Sequence, residues 1–70
     1  MSRIETRKTV ARIIMNINRP FSVFRLYDDC KNNGIDSKDL VLDVLESLCD
    51  SGMVQYVEIT DNCWAYVPCA

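Results

Sequence analysis

The residues of this chain whose types could do chemistry are its four cysteines and its aspartates. Cys30, Cys49, Cys63 and Cys69 are widely spaced, and no two of them form the short cysteine pair of a structural zinc site. The chain has no histidine, so the commonest metal ligand and the commonest general base are both missing. We therefore predict no metal site and no cofactor.

Neither the thiols nor the carboxylates have the neighbours that catalysis needs. Cys63 lies between Asn62 and Trp64, which supply no base and no positive charge to lower the pKa of the thiol. Asp28 and Asp29 are adjacent, so on a helix they point in different directions. The chain has two isolated glycines and hence no glycine-rich phosphate loop. We expect a protein that is not an enzyme and has no catalytic residues.

The cysteines are also expected to have different surroundings. Cys30 and Cys49 occupy helix positions next to apolar residues, as buried free thiols do. Cys63 and Cys69 fall in a turn and a tail, and a disulfide between them would need an oxidising compartment. The charged N-terminal segment lacks the apolar stretch of a secretory signal, and no apolar run is long enough for a bilayer. We expect a cytoplasmic protein that does not bind membranes.

Three helices are predicted from apolar residues that recur at i, i+3, i+4 and i+7. We place them at about Glu5–Ile17, between Ser22 and Asn33, and at Lys38–Ser51. Ser22 and either Asp36 or Ser37 are suitable N-caps, and a glycine follows each of the last two helices. The repeating apolar residues are Val10, Ile13, Ile14 and Ile17; Val23, Leu26, Tyr27 and Cys30; and Val41, Val44, Leu45 and Leu48.

A β-hairpin is predicted after the third helix, where the period changes from 3.6 to 2. Residues 53–59 and 64–67 form its strands, with a turn at 60–63, and Phe21 starts a short extended stretch before the second helix. Trp64 and Tyr66 fall on one face of the last strand, as core or cross-strand pair residues. Phe24 is either a second exposed aromatic residue or caps the core together with Phe21, and the second arrangement is the simpler one. This order predicts one α+β domain over residues 1–70 with the winged-helix plan.

The segment from Val41 to Val54 resembles the third helix and wing entry of bacterial and archaeal winged-helix regulators. An apolar residue, two leucines, a glycine and an aliphatic pair recur there; on this chain they are Val41, Leu45, Leu48, Gly52 and Met53–Val54. The chain looks most like the N-terminal domain of ferric-uptake-type regulators and the small regulators of fimbrial operons. The resemblance implies the winged-helix fold, and DNA binding with the third helix in the major groove.

The charge distribution conflicts with that docking mode. The net charge is 8 − 10 = −2, but residues 1–25 carry 6 − 1 = +5 and residues 26–70 carry 2 − 9 = −7. Four of the six outward positions of the third helix are acidic, which would repel phosphate. These six positions are Lys38, Asp39, Leu42, Asp43, Glu46 and Asp50. Leu42 is either exposed to a partner or covered by another part of the chain.

Two functions stay open. The leading prediction is a small phage-like or bacterial transcriptional regulator, compatible with a homodimer, that binds double-stranded DNA through Arg3, Arg7, Lys8, Arg12, Arg25 and Lys38. The alternative is an adaptor or phage-type inhibitor that binds a protein with a basic surface through Asp39, Leu42, Asp43, Glu46 and Asp50. The resemblance favours DNA, whereas the local charges favour a protein. The basic residues are also suited to ion pairs with the acidic part of the chain.

Overall fold

A computed structural model describes residues 3–69 as three helices followed by an antiparallel hairpin. The elements are α1 (Arg3–Asn16), α2 (Val23–Asn32), α3 (Lys38–Asp50), β1 (Val54–Thr60) and β2 (Cys63–Pro68). The α+β class and the winged-helix layout predicted from the sequence are confirmed. The observed ends of the helices lie within two residues of the predicted ones.

The helix ends follow from local side-chain chemistry. The Ser22 hydroxyl accepts a hydrogen bond from the Arg25 amide at 3.2 Å, and the Ser37 hydroxyl accepts one from the Leu40 amide at 3.4 Å. Each hydroxyl therefore satisfies an amide that has no partner in the first turn of its helix. The two glycines, just after α2 and α3, have φ of 81° and 82°, a conformation that residues with a Cβ rarely adopt.

The core lies between the three helices and the start of β1. Its members are apolar residues and one thiol, and no polar or charged side chain is buried within residues 3–69. The repeating apolar residues predicted from the sequence all belong to this core or pack against it. The buried residues are Val10, Ile14, Ile17, Phe21, Leu26, Cys30, Ile35, Val41, Val44, Leu45 and Val54.

The prediction that Phe21 and Phe24 together cap the core is wrong for Phe24. Phe21 is 2% exposed, whereas Phe24 is 76% exposed. Phe24 precedes the buried Leu26 by two positions, which is roughly 200° around a helix of 3.6 residues per turn. Its ring therefore points away from Leu26 and lies on the flank of α2, at the edge of a surface depression that Tyr27 and Ile35 also line.

The hairpin is tied to the helices through Phe21. The backbone of Phe21 exchanges two hydrogen bonds with the backbone of Tyr66, each 2.9 Å long, which confirms the short extended stretch predicted there. Because both backbone groups of Tyr66 point toward Phe21, Tyr66 and its β1 partner Tyr56 form a non-hydrogen-bonded pair, in which side chains lie closest. The bond from the Cys69 amide to the Met53 carbonyl, 2.8 Å, fits the same alternation.

We expect Leu45→Ala to lower the free energy of unfolding by about 2–5 kcal/mol, because Leu45 is fully buried between the helices and its removal leaves a cavity. Urea denaturation followed by circular dichroism measures the change. Ile59→Ala, at an exposed position of β1, is the control and should change stability by less than about 0.5 kcal/mol. Equal effects of the two substitutions would contradict the placement of the core.

Candidate functional site

The acidic face of α3, which we define as Asp39, Asp43, Glu46 and Asp50, is exposed along the length of the helix. Its positions follow from the apolar stripe that seals the opposite side of α3 onto the core. Leu42, predicted to belong to the same surface if exposed, is instead half-buried and packs against the core. The structure therefore leaves a carboxylate surface on α3, with Leu42 contributing mainly to packing.

One of these carboxylates is already paired within the chain. The Arg7 guanidinium on α1 donates a hydrogen bond to the Asp43 carboxylate on α3, and the two groups form an ion pair. Arg7 was predicted to contact DNA and Asp43 to contact a protein, yet the fold places them against each other. The pair joins two helices and neutralises one position of the acidic face.

Three further residues of the predicted DNA-binding set lie beside groups of the domain itself. The Arg25 Nε is 3.7 Å from an Asp29 carboxylate oxygen, one turn along α2. The Lys38 ammonium lies 5.6 Å from the centre of the Tyr27 ring, within cation–π range. Arg3 lines a shallow surface depression together with two acids of α3, Asp39 and Asp43.

Lys8 and Arg12 complete the predicted DNA-binding set. Both are exposed, and their spacing of four residues places them on the same side of α1. That side is turned away from Val10 and Ile14, the buried residues of the helix. Lys8 and Arg12 therefore present two positive charges on the outer surface of α1.

An aromatic ladder, which we define as Phe21, Tyr66, Tyr56 and Trp64, runs from the core toward the tip of the hairpin. The ring centres are 5.8 Å apart for Phe21 and Tyr66, 4.7 Å for Tyr66 and Tyr56, and 5.1 Å for Tyr56 and Trp64. Such spacings are those of attractive aromatic pairs. The ladder is buried at Phe21, half-buried at Tyr66, and about half exposed at Tyr56 (54%) and Trp64 (50%).

Sequence reasoning treated Trp64 and Tyr66 as cross-strand pair residues but missed Tyr56. The register pairs Tyr56 with Tyr66 and Glu58 with Trp64, so these four side chains share one face of the hairpin. The signal in the sequence is the two-residue spacing of Tyr56 and Glu58, repeated by Trp64 and Tyr66. This spacing shows that the four side chains share a face only when the register of the two strands is known.

The half-buried ring of the ladder, Tyr66, has one residue of the acidic face of α3 among its neighbours. Burial raises the pKa of the Tyr66 hydroxyl above its ordinary value, and the neighbouring Cys49, Tyr56, Glu46 and Tyr27 raise it further. Glu46 is therefore the residue of the acidic face that lies nearest to this ring, whereas Asp43 of the same face is paired with Arg7 of α1.

All four cysteines are free thiols. Burial raises the pKa of the Cys30 thiol, and the nearby Asp29 carboxylate raises it further. The pKa of Cys49 is raised by burial first, and then by Asp50 and Glu46. Both thiols are therefore held in the protonated form, which is a poor nucleophile. Within residues 3–69, no group of three or more cysteine, aspartate or glutamate side chains is arranged to hold a metal ion.

Comparisons with known proteins give no relative from which a function is transferred. No family model matches the chain, and no curated protein or solved structure matches it. In the described part of the chain, no helix has the length and apolar character needed to cross a membrane.

We expect a double-mutant cycle of Arg7→Ala and Asp43→Ala to give a coupling energy of about 0.2–1 kcal/mol, because exposed ion pairs are screened by water. Urea denaturation at low salt measures the coupling, which should shrink in high salt. Arg25→Ala with Asp29→Ala is the matched control for a pair within one helix, where about 0.3–0.5 kcal/mol is expected. The absence of coupling between Arg7 and Asp43 at low salt would contradict the pairing.

We expect the buried thiol to make stability depend on alkaline pH. A raised thiol pKa favours the protonated folded state, so its contribution is complete below about pH 8.5, the unfolded value, and is lost as pH rises through the folded value. Urea denaturation at neutral and alkaline pH should show a falling free energy of unfolding, and Cys30→Ala should reduce that fall. Ile59→Ala, which removes no ionisable group and lies at an exposed position of β1, is the control and should leave the pH dependence unchanged.

Proposed function

We propose that this chain is a non-enzymatic interaction module that binds a protein with a basic surface through the acidic face of α3. The observation that carries the proposal is the exposed row of carboxylates on the helix that, in the winged-helix regulators this chain resembles, enters the DNA groove. Carboxylates repel the phosphate backbone and attract lysine and arginine side chains. The same scaffold position therefore favours a cationic partner.

The charge around this helix supports the proposal. Residues 39–70 carry six acidic residues and no lysine or arginine, which gives 0 − 6 = −6. This segment comprises α3 after its first residue and the whole hairpin. A surface of one sign attracts a partner of opposite charge and raises its rate of association.

Part of the positive charge of the N-terminal third is neutralised by carboxylates of the same domain. Arg7 is paired with Asp43, and Arg25 is close to Asp29. These contacts support a structural role for two of the six basic residues that were predicted to contact DNA. A continuous cationic surface for DNA would need these guanidinium groups to leave their partners.

A DNA-binding regulator is the second candidate, and Lys8 and Arg12 favour it. Both side chains are exposed on the outer side of α1, where they could contact phosphate groups. The resemblance of residues 41–54 to ferric-uptake-type and fimbrial regulators favours the same function. In a homodimer, two copies of this surface would act together.

Two charge-reversal variants separate the candidates. Glu46→Lys with Asp50→Lys reverses the acidic face, and Lys8→Glu with Arg12→Glu reverses the basic side of α1. The full-length chain is used to capture proteins from an extract of its native cells, and the captured partner is then purified and titrated. We expect the α3 variant to weaken binding at least about tenfold, because like charges now face each other, while the α1 variant binds as the parent does.

A parallel titration with DNA tests the second candidate directly. Fluorescence anisotropy with a mixed-sequence duplex at low and moderate salt should show no saturable binding by the parent chain. Binding that falls steeply with salt, is lost in the α1 variant and is kept in the α3 variant would overturn the proposal in favour of a regulator. Circular dichroism of each variant checks that the fold is retained.

A further inference from the structure

We infer that the aromatic ladder and the open edge of β1 together bind an extended, arginine-bearing segment of the partner. The inference rests on the proposed function, since it names a second contact surface for the same cationic partner. It also specifies how the segment binds. Backbone groups of β1 would hydrogen-bond to the backbone of the segment, and the aromatic rings would contact its side chains.

The backbone of β1 supplies the first part of this site. Because Tyr56 and Tyr66 form a non-hydrogen-bonded pair, the amide and carbonyl of Tyr56 point away from β2, and so do those of Glu58 two residues later. β2 is occupied on both edges, by β1 and by Phe21, whereas no strand lies along the other edge of β1 within residues 3–69. An added strand would therefore pair with Tyr56 and Glu58.

The side chains beside that edge supply the second part. Tyr56 and Trp64 are stacked with their ring centres 5.1 Å apart, and each is about half exposed. Glu58 faces Trp64 across the strands, so a carboxylate stands next to an open aromatic surface. A guanidinium both stacks on aromatic rings and hydrogen-bonds carboxylates. The ammonium of lysine is smaller and more strongly hydrated, so it stacks on rings less well.

The spacing of an extended strand matches this arrangement. Alternate side chains of a strand lie on one face about 6.6 Å apart. Tyr56 and Glu58 are alternate residues of β1, so their side chains have this same spacing along the open edge. With an arginine at every second position, one arginine would therefore lie opposite Tyr56 and the next opposite Glu58, whose cross-strand neighbour is Trp64. Residues between them would face the other side of the sheet.

Charge decides between the occupants that such a surface accepts. A nucleic acid strand stacks on aromatic rings, but here it would meet Glu58, Asp61 and the acidic face of α3. A second copy that paired through its own β1 edge would bring the same acidic groups against their own kind. A cationic segment is the occupant whose charge complements the −6 of residues 39–70.

The test uses Trp64, the only tryptophan of the chain, as the reporter. The full-length protein is titrated with a short, end-blocked peptide of alternating arginine and threonine, and with a matched peptide in which glutamine replaces arginine. We expect a saturable change in Trp64 fluorescence with the arginine peptide and at least about tenfold weaker binding of the glutamine peptide. Amide exchange at Tyr56 and Glu58 should slow on binding, because an added strand covers these two groups.

Substitutions locate the site. Glu58→Gln and Tyr56→Leu should each weaken the arginine peptide about twofold to fivefold, the range expected for a single exposed cation–π or charge contact. Phe24→Leu removes an exposed ring that lies on α2, outside the ladder, and should leave binding unchanged. Far-UV circular dichroism confirms that the variants keep the fold, and the exchange measurement on the parent chain tests the edge without any substitution.

Three results would overturn the inference. One is a failure of the arginine peptide to bind more tightly than the glutamine peptide, whether both bind equally or neither gives a saturable change. Another is binding of a single-stranded oligothymidine that displaces the peptide. The third is a concentration-dependent dimer in sedimentation that protects the same amides without peptide. If Glu46→Lys with Asp50→Lys still weakens binding of the captured partner, any of these three results overturns only the hairpin site. If that double substitution leaves binding of the partner unchanged, the proposed function itself is overturned.

Discussion

The two backbone hydrogen bonds between Phe21 and Tyr66 hold the hairpin in place, and much of the surface follows from them. A two-stranded hairpin is only marginally stable by itself in water, so it needs an attachment to the helices. Phe21 provides it, with its ring buried in the core and its backbone paired to β2. Because these bonds use both backbone groups of Tyr66, Tyr66 cannot hydrogen-bond to Tyr56, and this sets the alternation of the hairpin. The alternation in turn determines which backbone groups of β1 face outward and which aromatic rings are close together.

The fold was largely predictable because its information is local. The i, i+3, i+4, i+7 spacing identifies three helices, and Ser22 and Ser37 begin two of them as hydroxyl caps. Phe24 shows the limit of such reasoning, since the sequence allows it either to cap the core or to be exposed, and the first alternative is wrong. Its angle on the helix, rather than its hydrophobicity, decides its exposure.

The candidate site was only partly predictable, because it depends on contacts between distant positions. Arg7 and Asp43 are 36 residues apart, and no local pattern pairs them. The stacking of Tyr56 with Trp64 depends on a register that shifts between Glu58 and Thr60, which the alternation of the strands does not reveal. The acidic face of α3 was predictable, because helical periodicity alone separates its carboxylates from the buried stripe.

The separation of core and surface on α3 has an evolutionary consequence. Val41, Val44 and Leu45 hold the helix in place, while Glu46 and Asp50 stand in solvent with no part in that packing. Exchanging such exposed residues has little effect on folding, so selection on stability leaves their charge almost unconstrained. A few substitutions therefore suffice to reverse the sign of this exposed helix while the core that holds it stays the same.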